Sequence, residues 1–276
     1  MSATSYRLHA TRLIAGRELR STVFGIGIYI VMTIAFVLAS YGVNSFLYNI
    51  SQNGALAMPS PLLLPLFVAV FLSSLYLGLL SSLTISRERD QGTLEVLFYG
   101  PVDSFSYVMG KFIEQMLVFG VFILFNLVFF AFVALITNFG FSLDIIWLLL
   151  ISFFVAASVV AFGIFLSSIT KSSRASVFLF ILFMAFFIGF FWGYSTLMGI
   201  PDKELSAGMI YLRQALDYLR RVIEWVSPLE YLNRGALAVA SSSVSGFFAA
   251  VGESLAYGVV LLAASIFFFN RKGVKK

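Results

Sequence analysis

The 276-residue sequence contains no cysteine, a single histidine and few charges. Without thiols there is no disulfide, no thiolate metal site and no cysteine nucleophile. The one histidine, His9, lies in a basic arm and no H-E-x-x-H occurs, so the ligand set of a zinc protease is missing. Charged residues make up 11% of the chain against 60% hydrophobic ones, and the mean hydropathy is +0.98. That balance is far from that of a soluble globular domain. The net charge of +5 is not gathered into a basic cluster interleaved with aromatics, so no nucleic-acid partner is expected. A phosphate-cradling G-x-x-x-x-G-K-[ST] is absent too. Before the pair Gly110-Lys111, Phe105 stands where the first glycine belongs, and Phe112 replaces the hydroxyl residue. The chain is therefore not expected to hydrolyse ATP, or to be an enzyme of any kind. No lysine lies within an apolar run, which removes serine–lysine proteolysis, and no series of intramembrane carboxylates suggests a proton-coupled pump.

What the sequence has in abundance is long apolar runs and phenylalanine, 32 residues of it. Such rings suit lipid or helix–helix contacts and would be hazardous on a water-facing surface. Runs of about 18 residues or more are read as spanning helices, because the hydrocarbon core is about 30 Å thick. Six qualify: approximately 24–43, 62–85, 112–137, 145–169, 176–198 and 247–269. They are continuous rather than alternating with period two, which excludes a barrel. The first is too long for the apolar core of a cleaved signal peptide. The expected fold is all-α and integral to the membrane: one six-helix domain over residues 1–276, with a helical arm at 1–23.

Arginine and lysine are retained on the cytoplasmic side. Arg7, Arg12, Arg17 and Arg20 precede the first run, Arg87, Arg89 and Lys111 follow the second, Lys171 and Arg174 follow the fourth, and Arg271, Lys272, Lys275 and Lys276 follow the sixth. Residues 44–61 carry no charge and 138–144 only Asp144. Both termini are thus expected on the cytoplasmic side of the cytoplasmic (inner) membrane. The fifth connection, 199–246, is long and charge-balanced, and falls outside. Within it Met209, Leu212, Leu216, Leu219, Ile223 and Val226 recur at steps of three and four, with Arg213, Asp217, Arg220, Arg221 and Glu224 on the other face. This amphipathic helix ends at Ser227-Pro228. It is read as lying on the outer leaflet or capping the bundle, with an exit gate as the sharper alternative. The segment 229–240, which contains Glu230, is too short to cross and is expected to dip in and return.

The most informative stretch is 85–111. Arg87-Glu88-Arg89-Asp90 ends the second run, and Gly92 permits the backbone angles that break the helix. Thr93 can cap a short helix over 93–98, Gly100-Pro101 forces a second turn, and Asp103 or Ser104 can cap the helix that continues into the third run. The product is an elbow with Leu94, Val96, Leu97 and Phe98 exposed between charges, as a docking surface requires.

The run Glu88-Arg89-Asp90-Gln91-Gly92-Thr93-Leu94-Glu95-Val96-Leu97, followed by Pro101-Val102 and Gly110-Lys111, resembles the signature of ABC-2 type permeases of ATP-binding-cassette transporters. Weaker likenesses keep the same order: Glu18-Leu19-Arg20-Ser21, GIFLSSITK at 163–171, and Ser227-Pro228 with Arg234-Gly235. These most resemble the branch of copper-site maturation and gliding-type permeases, although Gly25-Ile26 replaces the Ser-Pro that usually opens its first span. The resemblance implies an exporter half that pairs with a second permease, as homo- or heterodimer, and with cytoplasmic ATPase subunits that carry the ATP and magnesium. It implies that 93–98 is the coupling helix, with Glu88, Arg89, Gly92, Thr93, Leu94, Glu95, Leu97 and Pro101 in the docking region and Glu88 and Glu95 touching the ATPase. The outer segments would form a re-entrant pair closing the exit.

Few polar groups lie in the runs. Glu253 falls either on the pathway or at the outer interface, Asn126 is read as a helix-to-helix hydrogen bonder, and Glu114 is explained either by snorkelling or by pairing with Lys111. Asn126 and Glu253, with Pro228 and Glu230, are the candidates for the pathway or outer gate. The competing function, an ion-coupled carrier or channel, predicts internal repeats and a broken mid-membrane helix, and the six runs show neither. Uncharged, phenylalanine-rich spans suit an apolar or amphipathic substrate such as a drug or lipid.

Overall fold

The computed structural model describes residues 3–53, 61–94, 103–138, 140–201 and 206–272. Among them are nine helices of thirteen residues or more and no strand: α1 Ala3–Val23, α2 Ile26–Asn53, α3 Leu63–Asp90, α4 Ser104–Thr137, α5 Leu143–Ile169, α6 Ser173–Met198, α7 Ala207–Val226, α8 Pro228–Ala240 and α9 Val244–Lys272. Six of them, α2 to α6 and α9, are long and apolar enough to cross a membrane. The protein is an all-helical, multi-pass membrane protein.

The hub is α5. In its most apolar window 72% of residues are buried, against 22–44% for the other five candidate spans. It packs most extensively on α3 and α9, and also meets α4 and α8. Its face toward α3 is built of small residues, and Gly163 marks the closest approach. A β-carbon there would sit 2.4 Å from the Gly78 carbonyl oxygen and 2.8 Å from the Ser81 Cβ. Backbones can meet this closely only where side chains are absent or small, and between apolar helices such contact supplies much of the attraction. The serines buried along α3 and α5 do not leave hydroxyls stranded in this apolar interior. Ser73, Ser74, Ser152 and Ser158 each donate to a carbonyl three or four residues back in their own helix. Outward-facing rows on α4 and α6, such as Leu124, Val128 and Leu135, or Phe178 and Trp192, are exposed and apolar, as lipid demands.

One arrangement corrects the sequence reading and another fills in what it left open. Asn126 donates to the Phe122 carbonyl of its own helix at 2.8 Å, not to another helix. The carbonyl one turn back is always in reach, and an amide facing a helix of apolar side chains turns to it. Helix α7 turns much of its charged side to the bundle, together with Ile223, which is buried, and Leu216, which is half-buried. Arg213, Asp217, Arg220 and Glu224 are half-buried, whereas Leu212, Leu219 and Val226 are about half exposed. The charged side is drawn inward by polar groups at the end of α6. Arg213 donates to the carbonyls of Leu197 and Ile200, Asp217 accepts from the Tyr194 hydroxyl at 2.6 Å, and Arg220 lies over the Tyr194 ring. An arginine on the last carbonyls of a helix is favoured by its dipole.

Gly163→Leu is expected to force α3 and α5 apart and cost about 1–3 kcal/mol or more of stability, read as a fall in melting temperature of the detergent-solubilised protein. Because cysteine is absent, single cysteines introduced at Lys171 and Ser241 are expected to react with a membrane-impermeant maleimide only from the cytoplasmic and the external side respectively.

Candidate functional site

The elbow is held by charge buried at its root. Helix α3 runs past the apolar core to Asp90 and stops because Gly92 takes φ +69°, a left-handed conformation that glycine adopts without strain. Helix α4 then starts at Ser104, where the Asp103 carboxylate caps the Ser106 amide at 3.3 Å. One turn inside α4, Tyr107 and Lys111 lie on one face, four residues apart. Both reach Glu88 of α3: the Tyr107 hydroxyl donates to Oε2 at 2.7 Å, and the Lys111 ammonium donates to Oε1. Lys111 also lies 3.2 Å from Glu18 of α1, which in turn meets Arg17 at 3.2 Å. The Lys111 side chain is only 3% exposed. Two cations and two anions thus neutralise one another where α1, α3 and α4 converge, and the Tyr107 ring stacks on Phe269 of α9 at 5.3 Å.

Helix α1 is fastened along the start of α4 at four further places. Arg7 pairs with Asp103 at 3.0 Å, the Ser106 hydroxyl donates to the Arg7 carbonyl at 3.4 Å, and Thr22 donates to Glu114 at 2.8 Å. Between them, Ile14 packs so tightly on Gly110 that a β-carbon at Gly110 would approach it to 2.9 Å. Glu114 is therefore held by Thr22 and by the Gln115 amide, which corrects its expected pairing with Lys111. The two carboxylates Glu18 and Glu88 claim the ammonium instead.

The far side of the α3 tip is clamped to α5 and α6. The Arg89 guanidinium donates to the carbonyls of Thr170 and Ser168 at the end of α5, and Asp90 accepts from the backbone and hydroxyl of Ser173 at the start of α6. One turn deeper, the Ser167 hydroxyl oxygen accepts from the amides of Ile85 and Ser86 at 3.0 and 2.9 Å, and Ser176 donates to the Ser82 carbonyl. The inner end of α3 is thus bonded to α4, α5 and α6, and through Lys111 to α1.

Of the residues nominated from sequence, Glu88 has both oxygens engaged inside this cluster and a side chain 17% exposed. Arg89 is half-buried, and Gly92 and Thr93 are exposed, the Thr93 hydroxyl donating to the Glu88 carbonyl at 3.1 Å. Leu94 was expected to be exposed and is not. It is 5% exposed and belongs to the apolar core, because the turn at Gly92 folds the chain back onto the bundle. Glu95, Val96, Leu97, Phe98 and Pro101 lie outside the described residues. Residues not singled out for a role are Tyr107, Glu18 and Ser167. The i,i+4 spacing of Tyr107 and Lys111 was the available signal for the first.

Two of the four pathway or gate nominees, Glu230 and Glu253, meet at Arg234 of α8. It meets Glu253 of α9 at 2.9 Å, Glu224 of α7 at 3.1 Å and Glu230 of its own helix at 3.8 Å, while Arg220 also pairs with Glu224. Three carboxylates face two guanidinium groups. Burial pushes the Glu230 carboxyl above the usual range, Glu224 adds to this, and Arg234 opposes it. Pro228 opens α8 at its first position, where a missing N–H costs nothing, and is buried. Tyr257 of α9 donates to the Val226 carbonyl at 2.7 Å, so the α7–α8 corner is tied to α9. Asn126 is far along α4 from these residues in sequence, bonded within its own helix.

A family model described as "ABC-2 family transporter protein" matches residues 19–274. No curated protein matches the chain. The match spans the elbow, its buried root from Glu18's neighbour Leu19 onward, and the outer helices.

Lys111→Met leaves two largely buried carboxylates without their common cation and is expected to cost about 3–5 kcal/mol, measured as loss of folded protein on heating. Adding Glu88→Gln to Lys111→Met is expected to recover part of that loss, whereas independent sites would give additive losses.

Proposed function

The chain belongs to the ABC-2 family of transporter proteins, as a permease subunit of an ABC transporter, and we propose that it is an exporter half whose elbow receives the stroke of a cytoplasmic ATPase. The observation that carries this reading is the elbow itself. Its tip exposes Arg87, Asp90, Gln91, Gly92 and Thr93, while its root is joined by buried or partly buried polar contacts to α1, α4, α5 and α6. A push delivered to such a tip is not absorbed locally, because moving α3 alone would break charge pairs withdrawn from water. It has to move several helices together.

ATP and magnesium sit on the partner in this reading, and a second permease, identical or related, completes the pathway. Binding of ATP closes two ATPase subunits, the elbows follow, and the bundle passes from inward-open to outward-open. At the outer end the corner of α7 and α8 is latched by Arg234 to Glu253 of α9, which supports reading that cluster as the exit gate. Glu88 acts from behind, as an anchor that sets the angle of the elbow, and contact with the ATPase falls to the exposed tip and to Glu95 and Leu97. The substrate class is apolar or amphipathic, in keeping with spans lined by phenylalanine and small hydroxyl residues.

Co-purification with the ATPase subunit tests the docking. Glu95→Arg or Leu97→Arg is expected to abolish association without lowering thermal stability, and Glu88→Gln to weaken it together with stability. Undiminished association and ATP-driven transport in all three variants would overturn the assignment.

A further inference from the structure

One side of α1 takes no part in the contacts with α4. Residues 9, 12, 13, 16, 17, 20, 21 and 24 recur at helical spacing and line an open groove of about 1000 Å³. Its basic groups are His9, Arg12, Arg17 and Arg20, and no acidic residue lines it. Arg7 and Arg17 have carboxylate neighbours, Asp103 and Glu18. Glu18 lies on the opposite side of the helix, bound to Lys111. Gly16 sits in the middle of the row with open space where its side chain would be, so the groove has a notch between Arg12 and Arg20. Two large apolar side chains complete the lining: Leu13 is 61% exposed and Phe24, just past the end of the helix, 76%.

From this lining we infer that the groove binds the headgroup of an anionic phospholipid. Guanidinium groups spaced a turn apart match phosphate oxygens with paired N–H donors. An exposed leucine and phenylalanine beside them have no reason to face water. They are well placed against the upper part of an acyl chain, as on helices that lie in a membrane interface. Position supports the same occupant, since α1 passes into α2, the first candidate span, within the two residues Phe24 and Gly25. A soluble anion would satisfy the arginines and leave the apolar part of the lining unused. The lipid would hold α1 down at the membrane boundary, and α1 carries Glu18, a partner of the buried ammonium at the elbow root. Anionic lipid thereby bears on the angle of the elbow, a consequence that rests on the proposed function. The binding itself does not.

The test is native mass spectrometry of the purified full-length chain in neutral detergent, titrated with phosphatidylglycerol, phosphatidylcholine or inorganic phosphate. Phosphatidylglycerol is expected to be retained about tenfold or more over phosphatidylcholine, and inorganic phosphate not to displace it. Two variants separate a built site from general attraction. Arg12→Gln with Arg20→Gln removes charge, while Gly16→Phe fills the notch and keeps every charge. Both are expected to reduce the phosphatidylglycerol adduct severalfold with the melting temperature unchanged. Equal retention of the two lipids, displacement by inorganic phosphate, or full retention in Gly16→Phe would each overturn the inference. A micelle has no inside or outside and no ATPase is present, so an error in the proposed orientation or coupling would leave this result untouched.

Discussion

An ammonium group withdrawn from water is stable only when carboxylates surround it. Lys111 meets that condition with Glu88 from α3 and Glu18 from α1. Both acids lose much of their water there and share the one ammonium, and the Tyr107 hydroxyl donates to the second oxygen of Glu88. The cost of separating these groups makes the meeting point of α1, α3 and α4 a single unit. Everything proposed for the elbow follows from that. A tip mounted on ordinary apolar packing could rock independently, whereas one mounted on a neutralised cluster carries its neighbours.

The same reasoning explains how force could travel across the membrane. Helix α3 is joined to α5 by close backbone contact at Gly78 and Gly163 and by the amides that Ser167 accepts, so the two slide or tilt together. Helix α5 packs on α9 and α8, and α9 bears Glu253, the outer partner of Arg234. An inner charge cluster and an outer one are thus linked by a rigid, small-residue helix pair with no intervening hinge among the described residues. The middle is set by packing alone.

Much of this was legible from the sequence. Continuous apolar runs announced six spans because lipid imposes a minimum length, and Gly92 announced a turn because few other residues tolerate its backbone angles. The three-and-four spacing of α7 announced a helix and its amphipathic nature. It could not say which side faces the bundle, since that depends on Tyr194 and the carbonyls of α6, which lie elsewhere in the chain. The same limit hid the elbow root. Lys111 meets acids 23 and 93 positions away, and only the folded path brings them together. Glu114 looked like its partner because it was near in sequence, and Leu94 looked exposed because it sits between charges. Family resemblance nominated the docking region as one stretch, and the fold divides its described part into a residue engaged at the root, Glu88, a core residue, Leu94, and an exposed tip.

The central claim is that movement at the elbow tip is transmitted through the Lys111 cluster to the outer corner. The absence of cysteine allows spin labels to be placed at Gln91 and Ser241 alone, with the chain assembled with its ATPase in lipid nanodiscs. If the second permease is another copy of this chain, pulsed electron–electron double resonance reads the distance between equivalent sites, and if it is a relative, between each site and a fixed label on that relative, before and after ATP is trapped. The account predicts that both the inner and the outer distance change in the native chain, and that in Lys111→Met with Glu88→Gln only the inner one does. An outer distance that still responds fully in that double variant would contradict it.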